Sequence, residues 1–259
     1  MNSGRTNKKD PVQSEAWVSP CNSIASKEVS LNNPEPCPML LGLKNKYSLN
    51  PETILDIGAH YGAFCRECNI VWPESEVVMI EATREFEEKL KNLNWPRKNQ
   101  CIISLLGDSN REVTFYKTPA EKIFDSTVNT GHSVYKEKSA QYSGNNFETE
   151  KRTMERLDQI FSTETAFDLV KLDTQGSEID IIKGGVDLIK KAKILIVEVS
   201  LKTHNIGAPM ADEVNLYLNR LGFEKMDDEV SNNKDGGWFW KPSGGRAQED
   251  SVFVNFKNL

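Results

Sequence analysis

Short apolar runs alternate with amphipathic stretches along the chain from about residue 50 to its end. The apolar runs are typical of strands buried on both faces, and the stretches between them have the spacing of helices. A strand–helix–strand order of this kind requires a parallel sheet with right-handed crossovers. The pattern predicts strands at 53–57, 76–80, 100–106, 167–172 and 194–198, helices at 62–71, 84–94, 177–183 and 211–221, and a closing antiparallel pair at 223–226 and 251–256.

Two parts of the chain depart from this alternation. Residues 1–38 are rich in Ser, Asn, Lys and Pro and show no period, so we predict a flexible N-terminal arm before a single domain over 39–259. An arm that covers the substrate is the alternative. Within the domain, residues 109–166 are irregular and are predicted to form a variable insertion on the substrate side, with an exposed strand at 112–117. The polar stretch at 125–146 has the length of a binding loop or lid.

The net charge of the chain limits the classes of partner that it is expected to bind. A formal net charge of -6 argues against the basic surface of nucleic-acid-binding proteins, so a nucleic-acid partner is not expected. The five cysteines are an odd number, which does not suggest a disulfide framework and favours a reducing, cytoplasmic location. Residues 1–10 lack the apolar run of a signal peptide, and no stretch approaches the ~20 apolar residues of a membrane span. We therefore expect no membrane association, and the oligomeric state is left open.

The first predicted strand ends in a glycine turn with an acidic residue ahead of it, Asp56-x-Gly58-x-x-x-Gly62. Dinucleotide-binding turns instead carry G-x-G-x-x-G, whose tight bend holds a pyrophosphate. The spacing in this chain is typical of proteins that bind S-adenosylmethionine, which has no phosphate. We therefore predict S-adenosyl-L-methionine as the cofactor.

Acidic residues also end the next two predicted strands. Glu81 follows the second strand at a spacing where an acid can bind a ribose hydroxyl pair. Gly107 and Asp108 follow the third strand, where they could contact the adenine amino group of the cofactor. Ligands of open α/β sheets bind at these carboxyl ends, although each acid could instead cap a helix and face solvent. The predicted cofactor-binding residues are Asp56, Gly58, Ala59, His60, Gly62, Glu81, Ala82, Gly107, Asp108 and Asp173.

The second half of the domain carries a longer motif. Residues 169–178 read Leu-Val-Lys-Leu-Asp-Thr-Gln-Gly-Ser-Glu, followed by Lys183-Gly184-Gly185, and Glu198 ends the next strand. This sequence resembles the signature L-K-x-D-x-x-G-x-E … L-K-G of the FkbM-type family of methyltransferases. The resemblance extends over about residues 50–256. His60 stands where many members of the family carry Asn.

The resemblance implies a fold and an activity. Members of the family resemble class I methyltransferases, so the implied fold class is α/β and Rossmann-like. Such a fold has a mostly parallel seven-stranded sheet with an antiparallel last strand and helices on both faces. The implied activity is S-adenosylmethionine-dependent methyl transfer, most often to a hydroxyl group of a sugar, a glycan or a small natural product. A small-molecule or glycan acceptor is thus the expected partner.

Two other functions are compatible with the same fold. Nucleic-acid methyltransferases that act on amino groups usually carry Asn/Asp-Pro-Pro-aromatic after the fourth strand, whereas this chain reads Asp173-Thr174-Gln175-Gly176. The acidic charge of the chain also disfavours that function. A non-catalytic binding protein could retain the fold, because fold alone does not establish activity.

Methyl transfer to an alcohol needs correct positioning and a base that takes the hydroxyl proton. Asp173 ends the central strand beside the expected methyl position and is the first candidate for the base. Glu198 and His204 are the other predicted catalytic residues, although a surface role is the alternative for each histidine. Asp173 and Glu198 could instead hold Mg²⁺, because hard cations bind carboxylates. Acceptor binding is predicted for Ser126, His132, Gln175 and Glu178.

Three further features have both a functional and a structural interpretation. Cys65-x-x-Cys68 could bind zinc or be redox-active, but no second Cys/His pair follows, so packing in the core is favoured. Lys171, inside a central strand, is interpreted as a charge paired with a neighbouring acid. The aromatic residues 238–240 form either the core of a hairpin, which we favour, or a wall against a ring-shaped substrate.

Overall fold

A computed structural model of the chain describes residues 37–117, 131–138, 147–226 and 248–259. Strands and helices alternate through most of these ranges, as the apolar pattern predicts. The strands are β1 (Thr53–Ile57), β2 (Glu76–Glu81), β3 (Asn99–Ile103), β4 (Glu112–Lys117), β5 (Glu148–Thr153), β6 (Leu169–Leu172), β7 (Ile194–Ser200), β8 (Glu224–Lys225) and β9 (Gln248–Val254). The α-helices are α1 (Pro38–Lys46), α2 (Ala63–Val71), α3 (Glu87–Lys91), α4 (Leu157–Ile160), α5 (Glu178–Lys183), α6 (Val186–Ile189) and α7 (Ala211–Arg220).

Seven of these strands form one sheet, in the order β3-β2-β1-β6-β7-β9-β8. All neighbours from β3 to β7 are parallel, whereas β9 runs antiparallel to both β7 and β8. This arrangement confirms the predicted Rossmann-like sheet with an antiparallel last strand. The strand order reverses between β1 and β6, and such a switch point leaves a crevice at the carboxyl ends of the strands.

Alternate residues of the strands face two separate cores. On one face, Ile54 of β1 and Met79 of β2 belong to a cluster with Leu43 of α1 and Phe64 of α2. On the other face, Leu55 of β1 belongs to a cluster with residues of α5, α6 and α7. Helices therefore cover both faces of the sheet, which explains why its strands appear in the sequence as near-continuous apolar runs.

β3 ends earlier than predicted, because the chain changes its pairing partner after Ile103. Ser104 still donates its N–H to a carbonyl at the end of β2, at 3.0 Å. The next residues pair instead with the segment just after β5, where Glu155 donates its N–H to the Leu105 carbonyl at 2.8 Å. The strand predicted at 100–106 is therefore too long at its end.

Three elements were not predicted, the short helix α6 together with α1 and β5. α1 begins at Pro38, within the range assigned to the arm, and buries Leu40 and Leu43 in the core. β5 pairs with β4 as an antiparallel two-stranded ribbon outside the main sheet. Its sequence is polar throughout, so it has no apolar alternation that would reveal a strand. Residues 1–36 and the aromatic residues 238–240 lie outside the described ranges.

The predicted helices differ from the observed ones mainly at their ends. The helix predicted at 84–94 is a 3₁₀ turn at Arg84–Phe86 followed by α3. At α5, Ser177 occupies the N-cap position but makes no capping bond. Its hydroxyl lies 2.9 Å from that of Thr174 instead. No helix within the described ranges is long and apolar enough to span a membrane.

The CxxC pair lies on α2, as predicted. Cys65 and Cys68 are both fully buried, which confirms their predicted role in core packing. Their neighbour Glu67 is also buried, and its Oε2 atom has no hydrogen-bond partner among the described residues. Burial raises the pKa of the Glu67 carboxyl from its ordinary 4.5 to about 7. The contribution of Glu67 to stability is therefore full below about pH 4.5 and is lost as the pH rises through about 7.

We predict that Glu67→Gln stabilises the protein at pH 8 by about 1 kcal/mol, or roughly 2–4 °C in Tm, because a neutral amide avoids burying a charge. At pH 5, where the carboxyl is protonated, the gain should nearly disappear. Thermal unfolding at the two pH values measures both effects, with the exposed Glu88→Gln as the control. An equal Tm change at both pH values would contradict the prediction.

Candidate functional site

A pocket opens at the carboxyl ends of β1, β2 and β6, at the switch point of the sheet. Its space, including part of the open solvent at the mouth, is about 940 Å³. The turn after β1, the end of β2, the loop after β6 and residues 131–134 form its walls. Among the predicted site residues, those that line the pocket are Asp56, Gly58, Ala59, His60, Glu81, Ala82, His132, Asp173 and Gln175.

At Gly58 the turn after β1 lies against Asp173, at the end of β6, so the two halves of the pocket meet there. Its φ is +81°, and a Cβ added there would lie 1.9 Å from the Asp173 carbonyl oxygen. Its N–H donates to the Ile80 carbonyl at 2.9 Å, so it is used within the protein. Gly62 also has a positive φ but is packed against Leu93, outside the pocket lining. Both glycines are therefore required by backbone conformation and protein packing.

Glu81 joins the glycine turn to the end of β2. One carboxylate oxygen accepts the N–H of His60 and the other accepts the N–H of Thr83, each at 2.7 Å. Burial raises the pKa of Glu81, and these two hydrogen bonds oppose the rise. A carboxylate oxygen has two lone pairs, so each oxygen can still accept a hydroxyl from a ligand. The position suits the predicted contact with a ribose.

Asp56 is fully buried beneath the same turn. The Cys65 thiol donates to its Oδ2 atom at 3.1 Å, whereas Oδ1 has no hydrogen-bond partner among the described residues. Burial raises the pKa of Asp56, and the charge of Lys171 opposes the rise. A buried carboxylate oxygen without a partner destabilises the protein. A cationic ligand group in the pocket would relieve that cost.

Gly107 and Asp108, which were predicted to bind the cofactor at the end of the third strand, do not line the pocket. Gly107 lies behind the wall, against Met154. The half-exposed Asp108 carboxylate accepts the Ser109 hydroxyl at 2.8 Å, away from the pocket. Because the chain leaves the sheet early, Leu105 and Leu106 form this part of the lining. The structure therefore places an apolar surface where an acid was predicted to meet adenine.

A buried ion pair stands at the end of β6. The Lys171 ammonium donates to Asp173 Oδ2 at 2.7 Å, which confirms that Lys171 is paired with a neighbouring acid. The Gln175 side-chain amide donates to the other oxygen of Asp173 at 3.2 Å. Burial disfavours the ionised form of Asp173, but the Lys171 charge and the side-chain hydrogen bonds of Lys171, Gln175 and Glu198 together outweigh burial and lower the pKa of this carboxyl. Asp173 is therefore ionised at neutral pH.

Two further carboxyls lie beside this pair but outside the pocket lining. Glu198 accepts from the side-chain amides of Gln175 at 2.7 Å and Gln248 at 3.0 Å. Burial and the charge of Asp173 raise its pKa well above the ordinary range. Asp250 is the register partner of Glu198 on β9, and burial raises its pKa to about 6. Sequence reasoning did not select Asp250 as a site residue, although an acid beside the apolar run of a buried strand is a usable signal.

Glu178 holds the loop after β6 in place. Its Oε1 atom accepts the N–H of Thr174 at 2.8 Å and the N–H of Gly176 at 3.1 Å. Between these two amides, Gln175 has a φ of +58°, which non-glycine residues rarely adopt. Burial raises the pKa of Glu178 to about 7. The structure therefore uses this residue, which was predicted to bind the acceptor, to fix the loop.

The predicted histidines lie in different surroundings. His132 lines the pocket with its Nδ1 atom 3.0 Å from the Thr83 hydroxyl, and burial lowers its pKa to about 4, so it is neutral at pH 7. His204 lies outside the pocket lining, with Nε2 3.4 Å from a Glu137 carboxylate oxygen, and burial lowers its pKa as well. Ser126 lies outside the described residues.

The strand ends that line the pocket and the loop after β6 lie within a stretch of sequence that matches one family of enzymes. The family profile described as the methyltransferase FkbM domain matches residues 56–225. The chain belongs to the FkbM methyltransferase family. The match begins at Asp56 and includes Glu81, Asp173 and Glu198. No curated protein sequence matches the chain.

Solved structures of methyltransferases resemble this FkbM domain only distantly. The plantazolicin methyltransferase BpumL in complex with SAH is 10% identical, with a TM-score of 0.45 over 84% of this chain and 82% of that chain. The related BamL, solved with a triazolic desmethylPZN analogue and SAH, is 11% identical, with a TM-score of 0.44 over 86% and 83%. A TehB-like SAM-dependent methyltransferase from Corynebacterium glutamicum is 10% identical, with a TM-score of 0.41 over 86% and 90%.

One wall of the FkbM domain's pocket is a short segment, residues 131–138, which we call the strap. Ser133 in the strap donates its hydroxyl to the Gln175 carbonyl at 2.9 Å. Tyr135 donates its hydroxyl to Asp180 of α5 at 2.7 Å. The strap lies within the stretch that was predicted to be a binding loop, and its contacts with α5 and the loop after β6 have no signal in the sequence.

The Mg²⁺ alternative finds no support in the arrangement of ligands. In the described part of the chain, no three His, Cys, Asp or Glu side chains are grouped as a metal site requires. Both oxygens of Asp173 accept hydrogen bonds, from Lys171 and Gln175. The Lys171 ammonium thus already supplies a positive charge beside this carboxylate.

We predict that Gly58→Ala destabilises the FkbM domain by about 2 kcal/mol more than Gly222→Ala, as measured by urea unfolding. Both glycines have a positive φ, so both substitutions strain the backbone by about 1–2 kcal/mol. Only Gly58 adds an overlap with the Asp173 carbonyl, because nothing lies within 4 Å of a Cβ at Gly222. Equal losses in the two variants would show that the contact between the two halves of the pocket is unimportant.

Proposed function

We propose that the protein transfers a methyl group from S-adenosylmethionine to a hydroxyl group of a small-molecule or glycan acceptor. The observation that carries the proposal is the pairing, in one pocket, of the partnerless Asp56 Oδ1 atom with the buried carboxylate of Glu81. The first suits the ammonium group of a methionine moiety, and the second suits a pair of ribose hydroxyls. The family to which the chain belongs supports methyl transfer as the reaction.

The two ends of the pocket suit the two ends of the donor. Near β2, the lining residues Ala82, Leu105 and Leu106 offer an apolar surface for a flat base. Near β6, Asp56, Lys171 and Asp173 offer charged groups. When bound, S-adenosylmethionine supplies a methyl group activated by its sulfonium charge. Asp173 is already paired with Lys171, so the Asp56 carboxyl, with its partnerless Oδ1 atom, is the acid at this end that is left to receive a positively charged ligand group.

Asp173 is the base that we propose for the acceptor. It is the ionised carboxylate in the pocket at the end of β6, and it can accept a hydroxyl proton as the oxygen forms its bond to the methyl carbon. The bond between the methyl carbon and sulfur breaks in the same step, and its electron pair stays on sulfur, which leaves as the neutral thioether of S-adenosylhomocysteine. Because its pKa is lowered, it is a weak base, and positioning must supply much of the rate. Glu198 and His204 are less suitable because neither lines the pocket.

We predict that S-adenosylhomocysteine binds the intact protein and that Glu81→Ala and Asp56→Asn each weaken binding at least ~10-fold, because each removes a charged hydrogen-bond acceptor. Asp108→Asn is the matched control. It should change the affinity less than about twofold, because Asp108 lies outside the pocket. Isothermal titration calorimetry measures all four proteins. Absence of binding to the unsubstituted protein would overturn the proposed function.

Asp173→Asn should lower the rate of methyl transfer by ~100-fold or more while leaving S-adenosylhomocysteine affinity within about threefold. The reason is that the amide cannot take the hydroxyl proton. The assay is transfer of deuterated methyl from the donor to panels of glycans and small hydroxylated molecules, read by mass spectrometry. His204→Gln, outside the pocket, should retain activity. Loss of activity in His204→Gln but not in Asp173→Asn would contradict the assigned base.

A further inference from the structure

Gln175 has an unusual conformation for a residue with a long side chain. Its φ is +58°, in the left-handed region, where glycine and asparagine are the common occupants. It is nearly buried and lines the pocket next to Asp173. A residue held in this region away from its preferred conformation needs contacts that keep it there, and such residues concentrate at functional sites.

The backbone of Gln175 is fixed from three directions. Glu178 accepts the N–H groups of the residues on either side of it, Thr174 and Gly176, at 2.8 and 3.1 Å. The Ser133 hydroxyl of the strap donates to the Gln175 carbonyl at 2.9 Å. These contacts restrain the backbone of Gln175 and thereby the direction in which its side chain leaves the loop.

The side-chain amide of Gln175 bridges two carboxyl groups. Its Nε2 atom lies 3.2 Å from Asp173 Oδ1 and 2.7 Å from Glu198 Oε2. An amide nitrogen carries two hydrogens, so it can donate to both carboxyls at once. The Glu198 oxygen is itself held by the Gln248 amide at 3.0 Å. One end of the bridge is therefore anchored in the protein interior and the other end reaches the pocket.

We propose that Gln175 is the positioning residue that orients the Asp173 carboxylate toward the acceptor, with Glu198 as its anchor and Glu178 as the support of its backbone. The Lys171 ammonium holds one oxygen of Asp173 and Gln175 holds the other, so the carboxylate cannot rotate. The inference rests on the proposed function, in which Asp173 receives the proton of the acceptor. It also has a consequence that does not depend on activity. A donor to the ionised form of Asp173 keeps the carboxyl acidic, so removing that donor should raise its pKa.

Gln175→Gly is the most informative substitution, because glycine accepts the left-handed backbone and removes only the side chain. We expect the titration midpoint of Asp173, followed by carbon NMR of the intact protein labelled at Asp and assigned with Asp173→Asn, to move to higher pH. We expect kcat to fall ~10- to 100-fold, as for loss of one charged hydrogen bond, and S-adenosylhomocysteine affinity to change less than about threefold. Ser48→Gly, at another left-handed position distant in sequence from the loop, is the control and should change none of the three quantities.

Gln175→Asn keeps the amide group but shortens the side chain, so it tests whether the length of the side chain matters. Asparagine tolerates a positive φ, but its side chain is one methylene too short to bridge the two carboxyls. We expect it to behave like Gln175→Gly. An Asp173 midpoint and a kcat that are unchanged in both variants would overturn the proposal. Failure of the unsubstituted protein to bind S-adenosylhomocysteine would overturn the proposed function instead, and the Asp173 titration would still test the role of Gln175.

Discussion

The buried ion pair of Lys171 and Asp173 is the interaction on which the site depends. Lys171 is the register partner of Asp56 on the neighbouring strand, and its ammonium lies 2.7 Å from Asp173, so one cation faces acidic groups from both halves of the sheet. Breaking a buried pair leaves an uncompensated charge that costs ~3–5 kcal/mol. The same two halves touch where Gly58 meets the Asp173 carbonyl. The glycine of the first motif is thus explained by contact with the second motif.

Hydrogen bonds through the loop after β6 connect Asp173 to the strap, which forms one wall of the pocket. Glu178 fixes the loop backbone, Gln175 connects the loop to Asp173, and Ser133 fastens the strap to Gln175. Lys171, Asp173 and Glu178, which match the family signature, therefore belong to one hydrogen-bonded structural unit. A change in the loop should affect the orientation of Asp173 and the position of the strap together.

The sequence predicts those parts of the site that depend on a buried strand with a polar end. Asp56, Glu81 and Asp173 were located in this way, because an apolar run covered on both faces has a recognisable length. Other parts depend on contacts between segments distant in sequence. The predicted role of Asp108 assumed that β3 continues, whereas the chain changes partner at Leu105. The polar strand β5, the strap and the inward orientation of Glu178 likewise have no periodic signal, because their partners alone determine them.

The central claim is that the crevice between β1 and β6 holds the methyl donor with Asp173 on the acceptor side. A crystal structure of the complex with S-adenosylhomocysteine tests it most directly. We predict that the ammonium group lies against Asp56, that the ribose hydroxyls donate to Glu81, and that the sulfur faces Asp173. A ligand bound elsewhere, or one whose sulfur points away from Asp173, would contradict this assignment.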